Sequence, residues 1–293
     1  MKLSTSTNLV CERPDGTVFP LEKTLEYGKR AGFRRFDISF WDWSLPHSPF
    51  ITDKWEDWAY SVANKATELG VEFGQCHAYT FDFLDSNLKE EEYAYHQMLV
   101  ERSLQCCHMW GSKLCVSHPS TDFNAVDLVK TSKAQNIEYF KKLLDISTKY
   151  NIALAIENMC DYSIAPKRKY CATPEELVDF VTEFNDNRIG ICWDVEHADI
   201  MQQNQRASLL YINKHLKATH ISDTHSKTDT DLMHVLPLFG TIDFKEVVTT
   251  LRAINYRGDF SFEAHNYANR LPDDVLETAL KLTYEIGQYL MQL

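Results

Sequence analysis

Short β-forming runs alternate with longer helical patterns eight times along the chain. The alternation predicts strands at residues 2–10, 33–39, 71–79, 112–118, 152–158, 188–194, 218–223 and 259–265. The fifth and sixth runs are continuously hydrophobic, which is typical of strands that are covered on both faces of a parallel sheet. Eight such units favour an α/β chain that forms one closed (β/α)8 TIM barrel over an open doubly wound sheet.

The segments between the strands carry apolar residues at helical spacing. Leu21, Leu25 and Ala31 share one stripe before Gly32, a residue type that commonly ends helices. Further helices are predicted at residues 55–69, 89–110, 137–144, 204–215, 243–254 and 272–291. Another begins after Thr173, where Thr can cap, Pro174 suits the first turn and Glu176 can complete a capping box.

The size and charge of the chain restrict its class. With 293 residues, 44% of them hydrophobic, and no linker or low-complexity segment, residues 1–293 are predicted to form one barrel domain. The net charge of −12 disfavours nucleic acid as a partner, because binding a polyanion needs clustered lysines and arginines.

The cysteines and the N-terminal residues indicate the compartment. The eight cysteines follow no C-x-x-C spacing and lie in apolar runs, which is typical of buried thiols in a reducing environment. The first ten residues lack the apolar run of a signal peptide, and nowhere do 18 apolar residues stand together. The sequence therefore predicts a cytoplasmic protein without a membrane segment.

Four acidic or imidazole side chains end the last four predicted strands: Glu157, Asp194, His220 and Glu263. Because parallel barrel strands point their C-terminal ends at one face, these residues are expected to converge. Three carboxylates and one imidazole suit one divalent cation, Mn²⁺, Mg²⁺, Co²⁺ or Zn²⁺. The alternative is that they pair with lysines or arginines across the barrel mouth, but the adjacent segments contain few basic residues.

The motifs around these residues resemble the xylose-isomerase-like barrel superfamily of sugar-phosphate isomerases and epimerases. The resemblance rests on AIEN at Glu157, CWDVEHA at Asp194, HISD at His220, HVLPLFGTID at residues 234–243 and FSFEAH at Glu263. It implies that these four residues bind one divalent metal, with the two glutamates on opposite sides of the substrate as catalytic acid and base. A metal that chelates adjacent hydroxyl and carbonyl oxygens stabilises an enediolate, and the site of proton return separates isomerisation from epimerisation.

Four histidines are candidate substrate-binding residues. His197, predicted on the loop after the sixth strand, resembles the substrate-orienting histidine of the superfamily. His77 and His118 end the third and fourth strands, and His234 begins the HVLPLFGTID turn. In the apurinic-site endonuclease branch, histidines at comparable strand ends help to bind several zinc ions, but Leu232 stands where that branch has an aspartate. The resemblance thus favours one metal with histidines as sugar ligands, and leaves room for a second cation.

Aromatic and basic residues near the strand ends bear on the substrate. The aromatic residues Trp41, Trp43, Tyr79, Phe81, Phe83 and Trp193 could cover a sugar face and exclude water, or could serve lid packing, helix packing or a subunit interface. A phosphate group would need cationic donors, for which Lys167, Arg168, Lys169 and Arg270 are candidates.

The favoured function is a metal-dependent isomerase or epimerase of a ketose, sugar phosphate or related keto-polyol. A lyase that dehydrates a keto-polyol of the inosose or dehydroshikimate type needs little additional machinery, and spacing does not separate the two. A multi-zinc phosphodiester hydrolase and a non-catalytic carbohydrate-binding protein are further alternatives. The expected partner is a small sugar or polyol, and the aromatic residues permit a homo-oligomer.

Overall fold

Eight parallel strands form a closed barrel in the computed structural model, which describes residues 1–46, 48–161 and 168–293. The strands follow one another around the barrel in chain order, and the last pairs with the first. They are β1 (Lys2–Ser6), β2 (Arg35–Ser39), β3 (Glu72–His77), β4 (Leu114–Ser117), β5 (Ala153–Glu157), β6 (Ile189–Asp194), β7 (Leu216–Ile221) and β8 (Asp259–Phe262). The predicted (β/α)8 barrel is confirmed, whereas the assignment of residues 1–293 to one domain stays a prediction.

Helices follow the strands and pack around the barrel. They are α1 (Leu21–Ala31), α2 (Trp55–Leu69), α3 (Glu90–Met109), α4 (Leu128–Lys149), α5 (Pro174–Thr182), α6 (Val195–Ile200), α7 (Gln205–Ile212), α8 (Phe244–Ala253), α9 (His265–Ala268) and α10 (Asp273–Leu290). In α1, Leu21 and Leu25 are fully buried, which stabilises the fold by roughly 1.5–3 kcal/mol for each side chain. No helix in the described ranges is long and apolar enough to cross a membrane.

Close packing of α1 on the barrel depends on a glycine. A Cβ atom at Gly28 would lie 2.5 Å from a ring carbon of Phe36 in β2, so a larger side chain would push the helix away. Phe36 is itself buried, as are Phe260 and Phe262 of β8. The cysteines are all buried free thiols, as the sequence predicts.

The first strand is shorter than predicted. It ends at Ser6, whose hydroxyl accepts a hydrogen bond from the backbone N–H of Asn8 at 3.3 Å. This local bond competes with the strand ladder and starts a 3-10 helix at Thr7–Val10. The chain therefore leaves the sheet early, and Asn8 lies at the barrel mouth.

Two other local predictions are corrected. His197 lies in helix α6 and not on a loop, because the Asp194 carboxylate accepts from the His197 N–H at 2.8 Å and caps the helix. At α5, Thr173 caps as predicted, but Glu176 does not complete the capping box. Its carboxylate accepts from the Ala172 N–H and binds Arg168 instead.

Candidate metal and substrate site

The four predicted ligands converge at one end of the barrel. Glu157 and Asp194 end β5 and β6, His220 is the penultimate residue of β7, and Glu263 follows β8. One ligand atom from each residue lies within 4.8 Å of the others. His220 Nδ1 is 3.2 Å from Glu157 Oε1 and 3.0 Å from Glu263 Oε2. The strand ends therefore bring together a compact set of four donors.

This donor set fits a divalent cation. Asp194 Oδ2 and His220 Nδ1 are buried and have no hydrogen-bond partner, although an unpaired buried polar atom is costly. Among the described residues, no ion pair joins a lysine or arginine to any of the four, so the alternative of pairing across the barrel mouth lacks support. A cation bound among three carboxylates and an imidazole would satisfy both unpaired atoms.

A second layer of side chains orients the candidate ligands. Asp37 of β2 is fully buried, and its Oδ2 lies 3.3 Å from His220 Nε2. This contact leaves the other ring nitrogen of His220, Nδ1, facing the carboxylates of the candidate ligands. Asp37 Oδ2 also accepts from Gln75 Nε2 at 2.6 Å and from Ser261 Oγ at 3.1 Å. Asp37 was not predicted as a site residue, because its one signal in the sequence is an acidic residue inside the apolar run FRRFDIS.

Asn158, the residue that follows β5, fixes the backbone of Asp194. Its side-chain oxygen accepts from the Asp194 N–H at 2.6 Å, and its amide donates to the Asp194 carbonyl at 2.9 Å. Because Asp194 Oδ1 caps helix α6, Oδ2 is the oxygen left for a ligand. Asn158 also accepts the Nδ1–H of His197 at its carbonyl, at 2.8 Å, so His197 is held beside Glu157.

Three of the predicted substrate-binding histidines surround Glu157. Glu157 Oε2 is 3.2 Å from His77 Nε2 and 3.1 Å from His118 Nε2, and the two imidazole nitrogens are 2.9 Å apart. His197 Nδ1 is 3.4 Å from Glu157 Oε1. His77, His118 and Glu157 thereby form another possible metal-binding group, which has three donors and shares Glu157 with the group of four.

The electrostatics of the cluster keep the glutamates ionised. Burial raises the pKa of Glu157, but the adjacent imidazoles of His220 and His118 outweigh burial and hold the pKa well below its usual value. The balance at Glu263 is the same, with His220 as the main partner, and its pKa is lowered. Burial lowers the pKa of His77, but its hydrogen bond to Glu157 raises the pKa to about 9. Ionised carboxylates are the form that binds a cation and accepts a proton.

A cavity of about 800 Å³ opens above this cluster. Glu157 and Glu263 line the cavity, although Glu157, like Asp194 and His220, is at most 1% exposed. All four candidate substrate-binding histidines also line it: His77, His118, His197 and His234. Asn8 and His265, which were not predicted as site residues, complete the wall near Glu263. The two glutamates thus face the space that a substrate would occupy.

Of the six aromatic candidates, only Trp41 lines the cavity. Trp193 is fully buried and donates from Nε1 to Gln205, and Trp43 is buried against Trp58. Phe83 stacks on Tyr139 with ring centroids 3.7 Å apart. Phe81 and Tyr79 pack around His96, so these rings serve packing and not sugar contact.

Two of the four predicted basic residues are engaged by carboxylates. Arg168 binds Glu176 at 2.5 Å, and Arg270 binds Asp231 at 3.1 Å. Lys169 lines the cavity, and Lys167 lies outside the described residues. Because Asp231 is paired with Arg270, it does not replace the aspartate that the endonuclease branch has at the position of Leu232. Leu232 itself is 42% exposed in a 3-10 turn.

Comparisons with known proteins agree with this architecture. A family model described as xylose isomerase-like TIM barrel matches residues 25–286. The protein MJ1311 of Methanocaldococcus jannaschii is 24% identical over 151 residues, 51% of this chain, and the chain spans about half (50%) of the length of that relative.

Solved structures share the barrel over nearly the whole chain. A D-tagatose 3-epimerase-like protein has a TM-score of 0.75 and 18% identity, covering 100% of this chain and 97% of its own. The 3-keto-D-glucoside 4-epimerase YcjR of E. coli has a TM-score of 0.74 and 17% identity, covering 99% of both chains. At these identities the likeness establishes the fold. The family match over residues 25–286 shows that the chain belongs to the xylose isomerase-like TIM barrels.

Proposed function

We propose that this protein is a divalent-metal-dependent epimerase or isomerase that acts on a keto-sugar. The observation that carries the proposal is the convergence of Glu157, Asp194, His220 and Glu263 at the floor of a cavity of about 800 Å³. Two structural neighbours are named as a 3-epimerase-like protein of tagatose and a 4-epimerase of 3-keto-glucosides. Both names describe inversion at a carbon next to a ketone, and this is the reaction that we assign.

The mechanism needs a cation and two bases. Glu157, Asp194, His220 and Glu263 would hold the cation. When bound, Mn²⁺, Mg²⁺, Co²⁺ or Zn²⁺ supplies a positive charge that stabilises the negative charge developing beside the ketone as a proton leaves. Glu157 and Glu263 face the cavity and are held ionised. One carboxylate can remove the proton and keep it, and the other, after taking up a proton from solvent, can deliver that proton to the opposite face.

The histidines around Glu157 orient the sugar. His77, His118 and His197 each have a ring nitrogen within 3.4 Å of a Glu157 oxygen. An imidazole donates hydrogen bonds in both of its protonation states and also accepts one when neutral, which suits the hydroxyl groups on either side of a ketone. In this arrangement the hydroxyl groups bind near the carboxylate that exchanges the proton.

We favour an uncharged sugar over a sugar phosphate, because carboxylates already hold two of the three cationic side chains that line the cavity among the described residues, which leaves Lys169 as the third. Arg13 donates to Asp273 at 3.0 Å and to the Leu271 carbonyl, and Arg270 is paired with Asp231. A phosphate would have to displace these carboxylates from the arginines.

Elemental analysis of the protein purified without chelators tests the metal. We expect about one equivalent of Mn, Co, Mg or Zn in the wild type and loss of it in His220→Ala. Two or three zinc ions per chain would favour the phosphodiester hydrolase. Absence of metal from both proteins, even after soaking with Mn²⁺, would sink the proposal.

Exchange with deuterated water tests the reaction. A panel of free ketoses and keto-glycosides is incubated with the metal-loaded protein in D₂O and followed by NMR. We expect one C–H beside the ketone to become C–D as the epimer accumulates. A product that absorbs in the ultraviolet, formed with loss of water, would show a lyase instead.

A further inference from the structure

Glu196 is a fully buried carboxylate that the proposed mechanism does not use. It lies in the first turn of α6, between the candidate ligand Asp194 and His197. Both of its oxygens accept from the backbone N–H of His234 at 2.9 Å, and it also accepts from the hydroxyl of Ser222. His234 Nδ1 is 3.3 Å from Glu196 Oε2. The carboxylate therefore holds the backbone of one cavity residue, and the ring nitrogen of that residue lies close by without a hydrogen bond.

The backbone of His234 is in a conformation that needs such support. Its φ angle is +50°, in the left-handed region that side-chain-bearing residues seldom adopt. The His234 carbonyl accepts from the N–H of Asn266 at 3.1 Å, and the Asn266 amide donates to the Met233 carbonyl at 2.9 Å. Backbone strain that is held from several sides commonly marks a functional position.

The loop that carries His234 is fixed by a second buried carboxylate. Asp223 Oδ2 accepts from the N–H groups of Leu238 and Gly240, and Oδ1 accepts from Ile242. Asp223 and Val235 also exchange backbone hydrogen bonds at 3.0 Å. With Asp223 anchoring the end of the loop and Glu196 anchoring its middle, the position of His234 over the cavity is closely determined.

His234 is part of a wall that reaches Glu263. Its ring stacks on His265 with centroids 4.3 Å apart. His265 Nδ1 is 3.4 Å from Asn8 Nδ2, which also lies 3.4 Å from Glu263 Oε1. Asn269 donates to the Asn8 carbonyl at 2.9 Å. These residues border the cavity and present imidazole and amide groups, which suit hydroxyl groups and not a phosphate.

We propose that Glu196 is a positioning residue that holds His234 against His265, and that the resulting wall recognises hydroxyl groups of an uncharged sugar on the Glu263 side of the cavity. The inference rests on the proposed function, because it places the wall beside one of the two proposed bases. Glu196 acts through His234 and does not touch the substrate.

The kinetic test is a double-mutant cycle on the epimerisation of the keto-sugar found in the D₂O screen. Glu196→Ala is expected to raise KM about tenfold or more with a smaller change in kcat, since misplacing a binding group weakens positioning. Glu196→Gln, which keeps one oxygen for the His234 N–H, should restore most of the loss. In a His234→Ala background, Glu196→Ala should add less than about twofold. A KM effect of the same size in both backgrounds would overturn the proposal.

A second measurement does not depend on turnover. Hydrogen exchange of the His234 amide, followed by ¹⁵N NMR, is expected to be slow in the wild type, nearly as slow in Glu196→Gln, and at least about tenfold faster in Glu196→Ala. Unchanged exchange in Glu196→Ala would refute the positioning role even if no sugar substrate is found. Slow wild-type exchange without any epimerase activity would instead refute the proposed function while the positioning contact stands. If Glu196→Ala does not fold, both the kinetic test and the exchange test are made with Glu196→Gln. Hydrogen exchange of the His234 amide that is about tenfold faster in Glu196→Gln than in the wild type would overturn the claim that one carboxyl oxygen suffices.

Discussion

The two halves of the barrel mouth supply different kinds of residue. In the second half, each of β5 to β8 delivers one candidate ligand at or next to its last residue. In the first half, β3 and β4 likewise present His77 and His118 at or next to their ends, but β1 and β2 contribute Asn8 from a 3-10 turn and Asp37 from below the mouth. The comparison shows that the residue at a strand end is a reliable candidate for a functional residue only where the strand itself continues to the mouth of the barrel. Where it turns early, the functional side chains come from neighbouring positions.

The largest effect is expected in the second half, at the proposed bases. Glu157→Gln and Glu263→Gln should each lower kcat by at least about a hundredfold, because a positioned proton-transfer group contributes about 10²–10⁴. Steady-state kinetics on the keto-sugar substrate measure this. Glu138→Gln, which changes an exposed glutamate paired with Lys142 at 3.0 Å, is the control and should behave as wild type. Turnover that survives both substitutions would show that the two-glutamate mechanism is wrong.

The next effect tests whether the first half supports the second. Asp37→Asn should weaken metal binding by about 10–100-fold, the usual result when a carboxylate that orients a metal-binding histidine is lost. Isothermal titration with Mn²⁺ measures the affinity, and circular dichroism checks that the variant is folded. Asp145→Asn, on the exposed side of α4, serves as the matched control. Unchanged affinity in Asp37→Asn would mean that Asp37 serves only the barrel interior.

A smaller effect separates one metal from two. If His118 binds sugar, His118→Ala should raise KM by about three- to tenfold, the value of one lost hydrogen bond, and should leave the metal content at one equivalent. If His77, His118 and Glu157 hold a second cation, the variant should lose metal instead. Elemental analysis beside the kinetics distinguishes these outcomes. His108→Ala, an exposed histidine on α3, is the control.

The same contrast explains what the sequence could predict. Glu157, Asp194, His220 and Glu263 end apolar runs, so strand periodicity and barrel geometry suffice to place them together. Their roles as ligands and bases stay predictions.

Other residues act through contacts that no periodicity encodes. Asp37 reaches His220 across the barrel, and Glu196 is separated from His234 by 38 positions in the chain. Trp193, for which helix packing was one of the predicted alternatives, points away from the cavity because successive strand residues face opposite sides.

The smallest predicted effect concerns Asp42, a first-half residue that lines the cavity beside Trp41. Burial raises the pKa of Asp42 to about 7, and its Oδ2 has no hydrogen-bond partner. The unfolded chain has an ordinary aspartate pKa of about 4. Between pH 4 and 7 the folded protein thus holds a proton that the unfolded chain has released, so this group's contribution to stability falls as pH rises.

Replacing Asp42 by Asn should remove that decline. The Tm of Asp42→Asn relative to wild type should therefore increase from pH 5 to pH 8, by a few degrees at most, because the side chain is partly exposed and solvent screens its charge. Scanning calorimetry at four pH values measures the difference, with the exposed Asp53→Asn as control. A Tm difference that stays constant over this range would mean that Asp42 is ionised throughout. This would be expected if the positive charge of a cation bound in the second half of the mouth lowered the pKa of Asp42.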